Sequence, residues 1–494
     1  NALIYNPTTP VYNAEGKYSE STKNEYYNPV AMLNEVEGEN QATNLRMFGN
    51  ITYTPIEGLD IKYLVSSNTY NQTRGYYETQ NHKSTWRDGK NGYASRGTTR
   101  KAQDLSELTV QWRKTLLEDH SFTLLAGYSW QKDTYQNYYM QNYDFPSDDY
   151  TYNNMETGQA LKDGKATEFS EANESRLIGY FGRLNYSYKG KYMLAASIRH
   201  EGSTKFGADH KWGNFPSVSG AWNIKGENFL KDIEELSTLK LRAGFGITGT
   251  VPDDPYMSLN TLDFGTYVYY NGLYIKTIRP DSNANPDLRW EKKKEVNIGI
   301  DFGFLDDRIS GNIDYYNRKT EDLLWDYTVP SPPYLYSSMV ANAGSMRNSG
   351  IEVGITAIPI QTKDFQWTTS TNYSTNKNKL LSLSNDQFIS SGYSDKGSTG
   401  EPLQNTTHRI QEGEPIGNFW GYKTIDIDDN GHWIIEGADG NPKPISEQQP
   451  TDKQVIGNGL PKHYLNWNNS ISWKGFDFSV TMRGAFGFDI LNMP

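Results

Sequence analysis

Apolar residues recur at every second position in one segment after another of this 494-residue chain, and that period constrains the fold more than any other feature. From Val296 the even positions read Val296, Ile298, Ile300, Phe302 and Phe304, and the odd ones between them read Asn297, Gly299, Asp301 and Gly303. The same split sets Ile309, Ile313 and Tyr315 against Ser310, Asn312 and Asp314, and Phe478, Val480, Met482 and Phe486 against Asp477, Ser479, Thr481 and Arg483. Between 177 and 188, Ile178, Tyr180, Leu184, Tyr186 and Tyr188 oppose Gly179, Arg183, Asn185 and Ser187. A side chain changes face at each step of a strand, so each segment has one greasy and one small or polar face. Sustained helical period is almost absent, and the reading is all-β.

Alternation alone fits a soluble sandwich, with the apolar face turned to a shared core, and equally a barrel with the apolar face turned to lipid. The connections separate the two. Tight turns stand at Pro55–Gly58, Leu117–His120, Lys189–Lys191, Leu305–Arg308 and Lys474–Gly475, and long polar segments at about 72–102, 135–174, 250–288, 326–341 and 384–415. Short and long connections alternate, as in an outer-membrane barrel with short periplasmic turns and long external loops. The expected fold is therefore a transmembrane antiparallel β-barrel, with about fourteen strands between residues 44 and 487 and one more near Gly417–Asp426. Residues 1–43 read as loop, and Glu227–Leu236 as one short helix on the short-turn side.

Composition agrees. Mean hydropathy is -0.76 and no run of 18 apolar residues occurs, which excludes spanning helices but not spanning strands. Tyr is in surplus at 36 residues, and Tyr53, Tyr186, Tyr188, Tyr192, Phe304, Trp473 and Phe476, close to the short turns, suit an interfacial girdle. A net charge of -11 leaves no basic footprint for nucleic acid. With no cysteine there is neither a disulfide nor a thiolate site.

Several ordered motifs point to a family. They are Tyr192–Ser203, Phe206-Gly207, Trp212–Ser219, Leu239–Gly249, Asn285–Glu291, Asn297–Gly299, Asp314–Thr320, Asn342–Glu352 and Phe419–Tyr422. Together they resemble the barrel signature of SusC/RagA-type TonB-dependent transporters. The resemblance implies a bacterial outer-membrane importer with a plugged barrel of about twenty-two strands. It also implies a SusD-like surface lipoprotein as lid, energy from the TonB complex acting on the plug, and the option of a dimer of transporter–lipoprotein pairs. Residues 1–494 then read as part of one barrel domain, with plug and TonB box expected outside them. The cargo would be an oligosaccharide, or an oligopeptide in the manner of RagA. Rival readings are a soluble secreted all-β glycan-binding protein and an ungated porin.

Other motifs carry less chemistry. Gly244-Phe-Gly246-Ile-Thr-Gly249 matches a dinucleotide fingerprint in letters only, because Thr250–Pro255 cannot open a helix. Asp426, Asp428 and Asn430, with Gly431, match the opening of a calcium loop, but position twelve is Gly437, so a hairpin turn is the simpler reading and calcium a weak candidate. The scattered His residues form no metalloprotease pair, and no nucleophile elbow occurs, so no enzyme and no cofactor are expected. Sugars are gripped by aromatic faces and planar polar groups. Tyr267, Tyr269, Tyr270, Tyr274, Trp325, Tyr334, Tyr336 and Trp420, all in long connections, are candidates for cargo or lid contact. Arg183, Asn185, Arg199, Asp301 and Asp314 are candidates for the lumen wall or a plug contact, since charge facing lipid at mid-bilayer costs about 2–4 kcal/mol.

Overall fold

The computed structural model describes residues 5–20, 26–230, 232–385, 391–400 and 404–492. Fourteen long strands follow one another in a single antiparallel meander: β1 Val36–Ile56, β2 Leu59–Glu78, β3 Tyr93–Leu116, β4 His120–Tyr143, β5 Glu168–Tyr188, β6 Tyr192–Ser203, β7 Trp212–Asn223, β8 Leu236–Thr250, β9 Glu291–Phe304, β10 Ile309–Glu321, β11 Ser345–Gln361, β12 Phe365–Thr375, β13 His463–Trp473 and β14 Phe476–Phe486. A short strand, Lys377–Ser382, continues the pairing of the upper half of β11 where β12 stops. β1 and β14 are edges of this sheet and do not pair with each other.

The register makes the two faces explicit. Leu241, Ile300, Ile313, Val353, Tyr373 and Leu465 stand directly opposite one another across six consecutive strands, β8 to β13. One residue along, Lys240, Asp301, Asn312, Gly354, Asn372, Asn466 and Arg483 form the neighbouring row on the other face. Directly opposed residues share a face, so one side of the sheet is a continuous apolar surface and the other a polar one. Ile298, Ile313 and Tyr315 on the apolar side are 43–49% exposed, an arrangement stable against hydrocarbon rather than water.

Six tight turns, 56–59, 116–120, 188–192, 304–309, 361–365 and 473–476, and the longer connection 223–236 fall at one end, while 203–212 is the shortest connection at the other. The girdle aromatics sit at the tight-turn end. Tyr53, Tyr192, Phe304, Trp473 and Phe476 are exposed, and the His120 ring lies 4.7 Å from the Tyr188 ring and pairs through Nδ1 with the Tyr186 hydroxyl at 2.9 Å.

Four expectations need correction. The segment 227–236 is not a helix: Ile224–Gly226 makes one 3-10 turn, the described residues after it are turns, and Lys231 lies outside the described residues. A segment that short gains too little from helical bonding alone. Its carbonyls at Leu230 and Ile233 accept from Lys225 Nζ at 3.0 and 2.7 Å, and Glu227 accepts from Tyr192, Trp222 and Lys191 instead. The polar segments 72–102 and 135–174 are strand at both ends, to Glu78 and from Tyr93 and to Tyr143 and from Glu168, because β2 to β5 run well past any membrane span and their outer thirds need no apolar face. The strand placed near 417–426 divides into Asn418–Gly421 and Thr424–Ile427, which belong to two different small sheets. Residues 1–43 are not only loop: β1 starts at Val36, Pro29–Asn34 is a helical turn capped by Asn28, and Tyr12 bridges Tyr18. Of that segment, 1–4 and 21–25 lie outside the described residues, as do 386–390 and 401–403 of the long connection 384–415.

Candidate functional site

The polar face carries a charge cluster centred on Arg242, on β8. Its Nε and Nη2 donate to Asp301 Oδ1 at 3.0 and 2.8 Å, and Nη1 and Nη2 reach Asp314 at 3.0 and 3.1 Å. Asn312 Nδ2 donates to Asp314 Oδ2 at 2.7 Å. Three adjacent strands thus supply one guanidinium between two carboxylates, held by charge-assisted bonds in plane. Gly299 makes this possible: a Cβ there would lie 2.2 Å from Asp314 Oδ1 and 2.8 Å from Arg242 Nη2, so only glycine leaves room for the guanidinium to cross the strand. Asp301 and Asp314 were foreseen from the alternation. Arg242 was not, although it sits on the polar parity of β8 opposite a glycine, which was the available signal.

A second group lies further along the same face. Arg183 Nε donates to Asn185 Oδ1 at 3.0 Å. Arg199 donates to Ser129 Oγ at 3.0 Å and pairs with Glu201, its guanidinium 5.3 Å from the Phe181 ring. All five predicted wall residues therefore occupy the polar side, two of them in one cluster. Toward the long-connection end the face opens into a recess of about 600 Å3, where Tyr70, Tyr135 and Asn173 stand among the charged Lys101, Asp133 and Glu171, with the 250–290 connection on one side. Lys205 Nζ closes one wall by donating to the carbonyls of Pro252 and Asp253 at 2.9 and 2.6 Å.

The outer rim is built differently. Phe206, Phe215, Leu288 and Trp290 form a buried cluster at the mouth. Trp290 Nε1 donates to the carbonyl of Lys211 at 3.0 Å, and Gly207 N–H to that of Leu288 at 3.2 Å. A Cβ on Gly207 would lie 1.7 Å from the Pro286 carbonyl oxygen. Buried asparagines join the connections: Asn285 Nδ2 donates to Val340 O at 2.9 Å, and Asn342 accepts from Arg289 N–H at 2.8 Å while donating to the carbonyls of Arg289 and Asp322 at 2.6 and 3.0 Å. The Phe206-Gly207 and Asn285–Glu291 motifs and the start of Asn342–Glu352 thus converge on one packed unit that braces the mouth.

The loop aromatics divide. Tyr267, Tyr269, Tyr270 and Tyr274 lie on a hairpin, Leu262–Tyr270 with Leu273–Pro280, turned through Asn271 and Gly272 at positive φ. They are 62–73% exposed, and the Tyr269 and Tyr274 rings are 5.1 Å apart. The others serve loop packing in varying degree. Trp325 lies in the strand Leu324–Thr328 with Lys396 Nζ 5.0 Å from its ring. The Tyr336 hydroxyl donates to the Pro280 carbonyl, while Tyr334 remains exposed. Trp420 is covered on one face by the Arg409 guanidinium at 3.8 Å, which also stacks on Tyr393 and pairs with Asp395. That face is not free for a sugar.

Asp426, Asp428 and Asn430 stand at a hairpin turn. Asp428 Oδ1 accepts from the N–H groups of Asn430 and His432 at 2.9 and 2.8 Å, and Asp426 Oδ1 from that of Ile427 at 2.8 Å. These bonds to the turn's own backbone hold the Asp428 carboxyl below its ordinary range, the His432 N–H contributing most. These bonds close the turn through the Asp428 carboxylate. Among the described residues no group of three or more His, Cys, Asp or Glu side chains is placed to hold a metal ion.

Comparison with known proteins follows the same lines. The profile of the family described as TonB dependent receptor-like, beta-barrel, matches residues 3–485. The chain is 32% identical over 513 residues to TonB-dependent receptor P3 of Formosa agariphila, covering all of this chain and 49% of that protein. It is 38% identical over 326 residues to TonB-dependent receptor SusC of Bacteroides thetaiotaomicron, covering 64% of this chain and 31% of that one. Among solved structures, the RagAB peptide importer in its open-open state superposes with a TM-score of 0.81 at 20% identity, over 97% of this chain and 51% of that one. The chain spans about half the length of the full-coverage curated relatives.

Proposed function

Because the chain belongs to the TonB dependent receptor-like β-barrel family, as a SusC-type member in the bacterial outer membrane, we propose that its parent protein imports oligosaccharides. The family is one of transporters, and this reading involves no covalent chemistry. The apolar face meets lipid, and the polar face lines the path. The Arg242–Asp301–Asp314 cluster and the Arg183 and Arg199 groups give a plug, or a passing cargo, fixed hydrogen-bonding partners. Opening of the plug is driven by the TonB complex, and a SusD-like lipoprotein closes the mouth from outside, singly or in a dimer of such pairs.

The observation that carries the cargo assignment is the solvent-exposed tyrosine hairpin, with a recess in the polar face where amides and tyrosines stand among charged side chains, on a chain 38% identical to SusC over 326 residues. Ring faces and planar amides suit a neutral polyhydroxylated ligand. The same hairpin suits the lid. The test is uptake of labelled oligosaccharides and oligopeptides by the host with the full gene deleted, restored, or carrying alanine at Tyr267, Tyr269 and Tyr270. Deletion is expected to abolish oligosaccharide uptake, and the triple variant to weaken uptake or lipoprotein co-purification. Loss of oligopeptide uptake alone would transfer the reading to a RagA-like importer.

A further inference from the structure

A cavity of about 870 Å3 lies between residues 5–20 and 26–35 on one side and the connection after β2 on the other. It stands at the long-connection end, since Glu78 is the far end of a strand that begins at the Leu59 turn. Its walls are preformed. The Tyr5 hydroxyl donates to Ser19 O at 2.7 Å, and buried Asn28 donates through Nδ2 to Val11 O at 2.9 Å and through its N–H to the Glu20 carboxylate at 3.0 Å. Buried Lys83 donates to Tyr26 O at 2.8 Å, and Gln80 Nε2 to Phe145 O at 2.9 Å. The wall acids are spent on the protein, Glu20 on the Asn28 N–H and Glu35 on the Thr79 hydroxyl. What faces the space is mostly aromatic and neutral-polar: Tyr26 and Trp86, 38% and 42% exposed, Tyr18 with one ring face stacked on Tyr12 at 5.1 Å, and Asn6 and Asn81, with Lys17 as a single cation among the described residues.

We propose that this cavity is a second carbohydrate-binding site, which takes a neutral oligosaccharide segment before it enters the lumen. Ring faces beside amides favour stacking on sugar C–H surfaces with the amides taking the hydroxyls, and the wall carboxylates already accept from the protein's own N–H and O–H groups. The inference rests on the glycan-import reading and adds a capture point to it.

The experiment is calorimetric titration of the purified full-length protein with neutral hexasaccharides from α-glucan, β-glucan, xylan and mannan, and with a mixed hexapeptide pool. One hexasaccharide is expected to bind. Trp86→Ala and Tyr18→Ala should each weaken it about tenfold, equivalent to about 1.4 kcal/mol, and Trp86→Phe should restore most of the affinity. Trp86 is partly exposed, so its truncation leaves the fold intact, and the melting profile checks this. Unchanged affinity in both alanine variants overturns the site, and so does binding of no hexasaccharide or of the peptide pool alone. So would a full-length structure in which residues before Tyr5 fill the space. If cells still import oligosaccharides in any of these cases, the transport reading survives and only the capture site falls.

Discussion

The wall of this sheet and the rim around its mouth hold together by opposite means. In the wall, opposed rows such as Leu241, Ile300, Ile313 and Val353 repeat one simple alternation, and many apolar residues would serve at each place. In the rim, Gly207, Asn285, Trp290 and Asn342 each make contacts that no other residue type reproduces. The difference teaches that the motifs in the connections, Phe206-Gly207, Asn285–Glu291 and the start of Asn342–Glu352, brace the mouth through particular contacts, whereas those within strands follow the alternation of the wall.

This contrast can be broken experimentally. The largest effect is expected for Gly207→Val, whose side chain would collide with the backbone at Pro286. A cost of about 3 kcal/mol or more should appear as a lower melting temperature and proteolysis at the mouth, where a wall change such as Ile355→Val should do almost nothing. Next comes a pair at one strand position. Ile298→Lys should cost about 2–4 kcal/mol and impair the heat-modifiable folded band on gels, while Asn297→Lys should leave the band unchanged. Equal effects of the two would mean that the faces are misassigned.

Asn342→Ala should cost about 2–3 kcal/mol, because Arg289 N–H and two carbonyls lose a buried partner. Hydrogen exchange should quicken across residues 285–290 and 322–343 with the wall unaffected. The smallest effect concerns Asp452, held at about 2 by Lys443 first and then by the Ala438 and Gln449 N–H groups. A depressed folded value means stabilisation that is complete above the ordinary carboxylate range, near 4, and is lost as pH falls toward 2. Exchange protection of residues 438–452 should therefore fall between about pH 4 and 2, and Asp452→Asn should flatten that profile.

How much was legible follows from the same contrast. The strands from Val296 to Phe304 and from Ile309 to Tyr315 were readable because burial alternates with period two, and their register places Asp301 and Asp314 on the expected face. The outer thirds of β2 to β5 were not, since strands standing in water on both faces lose the alternation that marks them. Arg242 escaped because its significance lies in Gly299 and Asp314 on neighbouring strands, a relation that exists only after pairing. Trp420 and Tyr336 were grouped with the exposed tyrosines because residue type cannot show that Arg409 already covers one ring and Pro280 already holds the other's hydroxyl. The pocket beside Trp86 escaped for the same reason, being assembled from two segments separated by the whole β1–β2 hairpin.

The unequal strand lengths divide the wall into two flanks. β3 and β4 have 24 residues each, whereas β6 and β7 have 12. At about 3.4 Å per residue and a tilt of about 40°, the longer pair rises about 60 Å along the membrane normal and the shorter about 30 Å, against an apolar band of about 25 Å. One flank of the described wall therefore gains its height from the strands themselves, and the other from the long connections 250–291, 321–345 and 375–463 that rise above its short strands.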